Sequence, residues 1–390
     1  MLSRIQIKGF KSIREAKVEL GAFNVFVGPN GAGKSNLLEA IGVLGAAAKG
    51  RVDDEALLRR GVRPGVPALY KSSFRQQRIP PQIDIEAQSR TGPASLRILL
   101  RNPVRDSGEG WSFFSESLKH KGRRLAGRSE ANRHRGNPEQ GRVALEMADL
   151  DPKQPAAALV RRLQDFAIYA PTTGVLRGTV PDPQQREPIG LSGGRLPEAA
   201  LEVLRNTTKQ QRGEYFDLLG WVERWGVRAA ADAPIARSVP TPRRVLQFTD
   251  RYMADGRNVL TAYDASEGSL FVLFALVVSL HPSIPPTVAI DNMDHGLNPR
   301  LARALVTKMS EWVLKQADRQ LLVTAHNPSL LDGLPLQDDR VRLFVVDRAL
   351  NGETVINRII VTPAILERAR EGWTLSRMWV AGHLGGVPDV

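Results

Sequence analysis

The run Gly28-Pro29-Asn30-Gly31-Ala32-Gly33-Lys34-Ser35 constrains this chain more than any other feature. It fits the G-x-x-x-x-G-K-[ST] pattern of a phosphate-binding loop. Glycines let backbone N–H groups turn inward around a polyphosphate, and a helix that starts there directs its positive dipole end at the anion. Lys34 is predicted to reach the β- and γ-phosphates of ATP, and the Ser35 hydroxyl to bind Mg²⁺.

The flanking residues favour this interpretation over the alternative of a glycine-rich turn. Residues 24–27 predict a short buried strand, and apolar side chains at helical spacing predict a helix over 35–44. Strand, loop and helix in this order are the context that the motif requires. The predicted nucleotide-binding residues of this segment are Asn30, Gly31, Ala32, Gly33, Lys34, Ser35 and Asn36.

Composition narrows the class of protein. The 390 residues include no cysteine, so disulfides and cysteine-based metal sites are excluded. The N-terminus alternates polar and apolar residues like a strand and lacks the apolar core of a secretory signal. The longest apolar run, 270–280, is too short to cross a bilayer. We therefore expect a cytoplasmic protein with no membrane contact.

The chain is strongly basic. Its formal net charge is +13, which favours polyanionic partners. One arginine-rich segment contains Lys119, Lys121, Arg123, Arg124, Arg128, Arg133 and Arg135. A loop that contacts nucleic-acid phosphates and a merely solvated segment are both consistent with this composition. Few aromatic residues are interleaved there, so base stacking is not indicated.

The distribution of strand and helix patterns predicts four segments. Residues 1–100 are β-rich around the phosphate-binding loop, whereas residues 101–240 are polar, arginine-rich and interrupted by proline and glycine. We expect the second segment to be a largely helical insertion, with helices over 155–166 and 197–225. In residues 241–350 apolar strands alternate with helices, as in a parallel sheet covered on both faces. Residues 351–390 are expected to form a strand and a helical tail. The predicted fold class is α/β, a mixed sheet flanked by helices.

A second candidate site residue ends a predicted buried strand. Residues 286–290 are apolar and are followed by Asp291. Because the carboxyl ends of parallel strands meet at one edge of a sheet, Asp291 is predicted to lie beside Ser35 and to hold Mg²⁺ with it. The alternative is an aspartate that simply ends a strand in a turn. ATP and Mg²⁺ are therefore the predicted cofactors.

The chain resembles the ABC-type ATPases of the RecF, SMC and overcoming-lysogenisation-defect group. The motifs that carry the resemblance are Gly9-Phe10-Lys11-Ser12, the phosphate-binding loop, Ser266-Glu267-Gly268-Ser269, residues 290–299 and Thr324-Ala325-His326-Asn327-Pro328. They cover roughly residues 1–100 and 240–350. The tail over 375–388 is similar to that of stand-alone bacterial ATPases found in anti-phage operons. The resemblance implies an ABC-type P-loop ATPase head.

The resemblance assigns roles to three further segments. Ser266, Glu267 and Gly268 match the signature turn that binds the γ-phosphate held by the opposite subunit; an ordinary helix N-cap is the alternative. Leu191-Ser192-Gly193-Gly194 matches the transporter signature more closely in letters, but it lies too far before Asp291 for the required topology. His326 matches the switch histidine that contacts the γ-phosphate. Lys11 and Ser12 match nucleotide-contacting residues, with a surface turn as the alternative.

One departure from the family bears on mechanism. The residue after the Mg²⁺-binding aspartate is usually a glutamate that polarises the attacking water, and here it is Asn292. An amide cannot accept a proton at neutral pH, although it can orient a water. Two hypotheses stay open: hydrolysis is slow and ATP acts as a clamp, or another carboxylate, Asp294, supplies the missing function.

The resemblance also implies partners. It predicts a head-to-tail homodimer, or a higher oligomer, in which each ATP is held between two subunits. Overcoming-lysogenisation-defect proteins carry a Toprim nuclease after the ATPase, but only about 40 residues follow the last predicted core strand here. A nuclease-like effector is therefore expected on a separate chain. Three functions remain: an ATP-dependent switch in defence against phage, a RecF-like DNA-binding ATPase, and a non-hydrolysing scaffold.

Overall fold

The structure is a computed structural model that describes residues 1–75, 77–90, 92–102, 110–129, 136–208, 213, 217–236, 238–239 and 242–384. The strands, in chain order, are β1 (Leu2–Phe10), β2 (Ile13–Glu19), β3 (Phe23–Val27), β4 (Ile83–Ser89), β5 (Ala94–Arg101), β6 (Ser112–His120), β7 (Arg123–Ala126), β8 (Ile168–Tyr169), β9 (Val222–Ala229), β10 (Arg244–Asp250), β11 (Val259–Thr261), β12 (Thr287–Ile290), β13 (Gln320–Ala325), β14 (Val341–Arg348) and β15 (Thr354–Ile359). The α-helices are α1 (Lys34–Ala48), α2 (Asp54–Leu58), α3 (Arg142–Glu146), α4 (Pro155–Gln164), α5 (Thr173–Arg177), α6 (Leu196–Arg205), α7 (Glu267–Leu280), α8 (Pro299–Leu314), α9 (Pro363–Arg370) and α10 (Leu375–Val380). None of these helices combines the length and apolar composition needed to cross a membrane.

The central layer is a six-stranded sheet in the order β15-β14-β3-β13-β12-β8. The last five of these strands run parallel, and β15 pairs antiparallel with β14. Side chains of β3 alternate between two hydrophobic cores, with Val25 in one and Phe26 in the other. The prediction of a parallel sheet covered on both faces is confirmed, and all its parallel strands end at the same edge.

A second six-stranded sheet is antiparallel and has the order β2-β1-β4-β5-β6-β7. Its inward side chains, such as Ile5 and Ile85, share a core with α1 and with one face of the parallel sheet. Nearly every side chain of α1 is buried, because the helix contributes to a core shared by both sheets. This packing fixes the start of α1, and with it the end of the phosphate-binding loop.

The strands predicted over 24–27 and 286–290 and the helix predicted over 35–44 are present as β3, β12 and α1, but the arginine-rich segment is mixed rather than largely helical. Its first part forms β6 and β7, which extend the antiparallel sheet beyond residue 100. The helix expected over 155–166 is present as α4, whereas the one expected over 197–225 ends at Arg205, and Trp225 lies on β9. Cross-strand pairing with β5, which local composition does not reveal, decides the fold of residues 112–126.

The prediction treated the arginine-rich cluster as one segment, but the structure does not place all of its residues at the surface. Arg128 is 1% exposed, and its guanidinium donates to the carbonyl oxygens of Asn137 and Gln140. Glu116 lies 3.8 Å from it, so this arginine is a buried structural cation and not a surface contact for phosphates. Arg133 and Arg135 lie outside the described residues.

A third sheet has three strands in the order β11-β10-β9. It packs against helix α7. Phe248 of β10 and Trp225 of β9 share a core with Leu270 of α7. The indole Nε1 of Trp221 donates to the Ser269 hydroxyl at 3.1 Å. The small sheet is therefore attached directly to the first turn of α7.

Candidate functional site

The candidate site lies at the edge where the parallel strands end. The phosphate-binding loop follows β3, Asp291 follows β12 and His326 follows β13, and these strands are neighbours in the sheet. The local sequence produces each strand, and their parallel pairing brings the three following loops together. The structure therefore brings together the loop, the aspartate and the histidine that the sequence predicted to meet.

The phosphate-binding loop ends in a backbone conformation that requires glycine. Gly33 has φ +106°, and a Cβ atom there would lie 2.1 Å from the Thr354 hydroxyl oxygen. Both the left-handed backbone and the close approach exclude a larger side chain. Asn30 and Gly31 are exposed at the rim of the loop, and Ala32 is buried below it.

Lys34 points back into the loop. Its ammonium donates to the carbonyl oxygens of Gly28 at 2.8 Å and Pro29 at 2.9 Å, and to Nδ1 of His326 at 3.2 Å. The residue is only 5% exposed. Burial lowers the pKa of Lys34 from its ordinary value of 10.5 to about 8, although Asp291 and Asp294 oppose that shift. The site thus holds a desolvated cation that an anionic ligand would stabilise.

Ser35 and Asp291 form the oxygen-rich part of the site. The Ser35 hydroxyl donates to Asp291 Oδ2 at 2.8 Å, and the Thr324 hydroxyl donates to Asp291 Oδ1 at 2.5 Å. The same Thr324 oxygen accepts the backbone N–H of Asn292 at 2.8 Å. Thr324 therefore fixes both the carboxylate and the residue after it, a role that the sequence argument missed.

Asn292 and His326 contact each other. Because His326 Nδ1 accepts from Lys34, its Nε2 carries the proton and donates to Asn292 Oδ1 at 3.0 Å. Burial and the nearby Lys34 ammonium lower the pKa of His326 below 6.5, so the ring is neutral at pH 7. Asn292 has φ +55°, a left-handed conformation that asparagine tolerates. Its side-chain amide is thus held against the His326 ring.

Asp294 is bound to the backbone of the histidine loop. Its Oδ2 accepts the N–H of His326 at 2.8 Å and also that of Asn327. The residue is 9% exposed. The carboxylate therefore orients His326, and this geometry favours a positioning role over that of a replacement base.

The turn between β1 and β2 contributes Lys11 to the site. Lys11 has φ +47°, and its ammonium pairs with Glu39 at 2.5 Å over the Tyr70 ring. Burial alone would raise the pKa of Glu39, but contacts with Arg63 and Lys11 lower it, so the carboxylate stays charged. Lys11 thus lies on the α1 side of the site.

A chain of hydroxyl groups braces the loop from beneath. The Asn36 amide donates to Ser12 Oγ at 2.7 Å, and Ser12 Oγ lies 2.7 Å from Thr354 Oγ1. Thr354 in turn donates to the carbonyl oxygen of Ala32 at 2.7 Å. Thr354 comes from β15, far along the chain, and no local pattern in the sequence marks it.

A cleft of about 440 Å³ opens beside this brace. Its lining includes Lys11, Ser12, Asn36, Leu69, Phe74 and Arg348. The Arg348 guanidinium donates to the carbonyl oxygen of Gly31 at 3.2 Å, so the cleft is continuous with the loop. An apolar wall with cations at its rim suits a nucleoside attached to phosphates.

Ser266, Glu267 and Gly268 begin α7, the helix that precedes β12. The Ser266 and Ser269 hydroxyl oxygens are 2.6 Å apart. The Glu267 carboxylate accepts from the Thr173 hydroxyl and lies 3.7 Å from His295, so it is engaged within its own subunit. Among the described residues, no hydrogen bond joins this turn to the phosphate-binding loop of the same chain. Ser192 lies elsewhere, in a turn where Asp182 accepts the backbone N–H groups of Ser192 and Gly194.

A family model described as "AAA domain, putative AbiEii toxin, Type IV TA system" matches residues 23–332, which is most of the chain. The DNA replication and repair protein RecF of Magnetococcus marinus is 45% identical over 64 residues, which are 16% of this chain and 17% of that protein. RecF of Clavibacter michiganensis subsp. michiganensis is 37% identical over 94 residues, 23% of each chain. The chain thus matches less than a quarter of the length of these curated relatives.

Solved structures show the same fold at low identity. An SMC head bound to the C-winged helix domain of ScpA has a TM-score of 0.54 and 11% identity, covering 94% of this chain and 99% of that one. An SMC head domain with an extended coiled coil, bound to the C-terminal domain of ScpA derived from Pyrococcus furiosus, has a TM-score of 0.52 and 11% identity, covering 95% and 99%. At this identity the comparison establishes the architecture alone.

Proposed function

Since this chain belongs to that AAA-domain family and is an ABC-type ATPase of the RecF/SMC group, we propose that it is an ATP-dependent switch in the cytoplasm. Two copies close around ATP and Mg²⁺, and the closed dimer, or a larger assembly of such dimers, controls a separate, nuclease-like effector protein. The family description names a toxin–antitoxin system, which supports a role in defence against phage. The observation that carries the proposal is the contact network joining Lys34, Ser35, Asp291, Asn292 and His326.

The residues present fit ATP and Mg²⁺. The Ser35 hydroxyl and the Asp291 carboxylate are the hard oxygen ligands that Mg²⁺ prefers, and Mg²⁺ commonly takes one protein carboxylate together with substrate phosphates. Among the described residues, no group of three or more acidic, histidine or cysteine side chains is arranged to hold a metal ion. Bound Mg²⁺ would neutralise phosphate charge during transfer.

The chain's own groups would act as follows. Lys34 exchanges its carbonyl partners for the β- and γ-phosphate oxygens, and backbone N–H groups of the loop bind the remaining oxygens. The His326 ring is neutral, and Asp294 holds its backbone N–H. The ring adds no positive charge to the site, but its hydrogen bond to Oδ1 fixes the Asn292 amide. Asn292 orients the attacking water without accepting its proton, so hydrolysis is slow. The cleft bounded by Phe74 and Arg348 takes the nucleoside.

The second subunit completes the site in this proposal. Ser266 and the free N–H groups at the start of α7 bind the γ-phosphate held by the other copy, because a helix N-terminus attracts anions. The side chain of Glu267 stays within its own subunit and links the turn to Thr173.

The test measures assembly and phosphate release together. Light scattering with ATP and Mg²⁺ should show a dimer, and slow steady-state phosphate release should accompany it. Lys34→Ala should abolish both, whereas Lys49→Ala, which removes an exposed lysine at the far end of the same helix, should leave both unchanged. If the protein stays monomeric with saturating ATP, the switch proposal fails. A dimer with no phosphate release would instead support the non-hydrolysing scaffold.

A second candidate function, DNA binding of the RecF kind, rests on the hairpin formed by β6 and β7. Lys119, Lys121, Arg123 and Arg124 are exposed there and form no ion pair with another described residue, although the Arg124 guanidinium donates to the carbonyl oxygen of Glu116 at 3.2 Å. By contrast, Arg97 on neighbouring β5 is paired with Asp84 at 2.6 Å. Unpaired cations on one hairpin are suited to phosphate contacts.

Salt dependence separates this function from the first. Replacing Lys119 and Arg124 by alanine should reduce the slope of log affinity against log salt for duplex DNA by about 0.9 per lost phosphate contact. Arg97→Ala serves as the matched control and should leave the slope unchanged. An equal slope in the double variant and the wild type would remove the hairpin as the DNA contact.

A further inference from the structure

The turn between β10 and β11 presents two large apolar side chains to solvent. Tyr252 is 78% exposed and Met253 is 42% exposed. The Asp250 carboxylate accepts the backbone N–H of Tyr252 at 2.7 Å and of Met253 at 3.2 Å. Since the backbone of this tip is held by its own hydrogen bonds, ordering it on contact with a partner costs little entropy.

The tip is attached to the start of α7. The N–H of Arg251 donates to the carbonyl oxygen of Trp221 at 3.0 Å, and the Trp221 indole donates to the Ser269 hydroxyl at 3.1 Å. Ser269 in turn contacts Ser266 at 2.6 Å. Arg251, Trp221 and Ser269 therefore connect the tip to Ser266, which is proposed to reach the other subunit's ATP.

A mainly apolar cavity of about 470 Å³ lies on the other side of the ATP site. The residues lining it include Pro29, Asn30, His326, Trp379 and Val380. It thus lies between the phosphate-binding loop, the switch histidine and the C-terminal helix α10. Its volume is within the range of pockets that bind ligands in proteins.

Helix α10 is anchored, so this cavity has a fixed wall. The Asp332 carboxylate accepts the Ser376 N–H at 2.9 Å and the Ser376 hydroxyl at 2.6 Å. Trp379 is 5% exposed and packs in the main core, whereas Val380 is 60% exposed at the rim. The cavity is therefore preformed in the single subunit.

We propose that the Tyr252–Met253 tip of one copy docks in this cavity of a second copy. The inference rests on the proposed ATP-bound dimer, in which the α7 turn of one subunit faces the phosphate-binding loop of the other. The tip is attached to the first of these elements, and the cavity is built on the second. Twofold symmetry then forms the contact twice, and a tyrosine in a desolvated pocket is a common source of interface affinity.

This docking gives the C-terminal helix a function. It makes α10 part of the dimer interface, beside His326 and the loop that binds phosphate. The docked tip then lies against Pro29 and Asn30 of the phosphate-binding loop, so the subunit contact is adjacent to the bound nucleotide. Residues far apart in the chain thereby couple assembly to the nucleotide.

Cross-linking between two cysteine variants tests the contact. The chain has no cysteine, so only introduced thiols react. Protein carrying Tyr252→Cys is mixed with protein carrying Val380→Cys, and a short bismaleimide is added with and without a non-hydrolysable ATP analogue and Mg²⁺. A cross-linked heterodimer should form only with nucleotide. Leu145→Cys, at a residue that is 56% exposed elsewhere on the surface, replaces Tyr252→Cys as the control and should give none.

Light scattering on the same samples separates the possible failures. A nucleotide-dependent dimer with no Tyr252→Cys to Val380→Cys product would overturn the docking inference and leave the ATP-bound dimer standing. Absence of any dimer would overturn both. Equal cross-linking with the Leu145→Cys control would show random collision and would also overturn the inference.

A second measurement uses affinity. Tyr252→Ser combined with Met253→Ser should raise the Kd of the nucleotide-dependent dimer about tenfold or more, as expected for loss of a buried aromatic contact. Leu145→Ser should leave it unchanged. Both variants alter exposed side chains, so their unfolding midpoints should equal that of the wild type, and an unchanged Kd in the double variant would refute the docking.

Discussion

ATP binding should take up a proton above pH 8, because the pKa of Lys34 is about 8 in the ligand-free protein. Burial disfavours the charged ammonium, and the phosphates of ATP would favour it again. If binding returns the pKa to 10.5, the protonated fraction at pH 9 rises from about 0.1 to nearly 1, an uptake of about 0.9 proton. At pH 7 the free protein is already about 90% protonated, so the uptake is only about 0.1 proton.

The same linkage sets the pH dependence of affinity. Because its pKa is lowered, Lys34 loses its proton as the pH rises through 8. The charged form that binds ATP is then depleted, so the affinity for ATP falls. Between pH 7 and pH 9 the Kd for ATP should rise about tenfold, equivalent to about 1.4 kcal/mol. The β- and γ-phosphates are fully ionised over most of this range, so their titration contributes little.

Calorimetry in two buffers with different ionisation enthalpies measures the uptake directly. Titrations with saturating Mg²⁺ at pH 7 and pH 9 give the number of protons bound from the difference in apparent enthalpy. Lys49→Ala is the control, since this exposed lysine lies at the far end of α1 and its loss should leave the uptake at pH 9 unchanged. Uptake near zero at pH 9 would refute the reasoning, because it would show that burial does not depress the pKa of Lys34.

Three further predictions test individual contacts of the site. Asn292→Glu should raise steady-state phosphate release, because a carboxylate can accept the proton of the attacking water; no increase would mean that the water is positioned elsewhere. Thr324→Val should lower the free energy of unfolding by about 1–3 kcal/mol in urea denaturation, because the Asn292 N–H loses its acceptor. Thr354→Val should weaken ATP binding about tenfold in calorimetry without unfolding the protein, since the Ala32 carbonyl loses its donor; unchanged affinity would show that the brace is not needed.

Local sequence was sufficient for the parts of the site that follow strands. The glycines, Lys34 and Ser35 form a motif whose backbone requirements are short-range, and Asp291 and His326 each follow an apolar run. Because parallel strands place their carboxyl ends together, predicting the strands was enough to predict that these side chains meet.

The arginine-rich segment was predicted less well, for a long-range reason. Residues 112–126 carry weak local signals, and their strands form because β6 pairs with β5. Arg128 is buried because its backbone pairs with Glu116 of β6 and its guanidinium donates to the carbonyl oxygens of Asn137 and Gln140. Charge density in a sequence does not distinguish a buried arginine from a phosphate-binding one.

Motifs in the sequence predict the chemistry proposed for this site: a lysine for phosphate, a serine and an aspartate for Mg²⁺, and an amide in place of the usual glutamate. How these groups are held depends on contacts between distant parts of the chain. Thr354 supports the loop from more than 300 residues away, and Trp379 of α10 forms a cavity wall beside it. The physical reason is that motifs specify side chains and local backbone, whereas contacts between distant segments depend on how whole strands and helices pack.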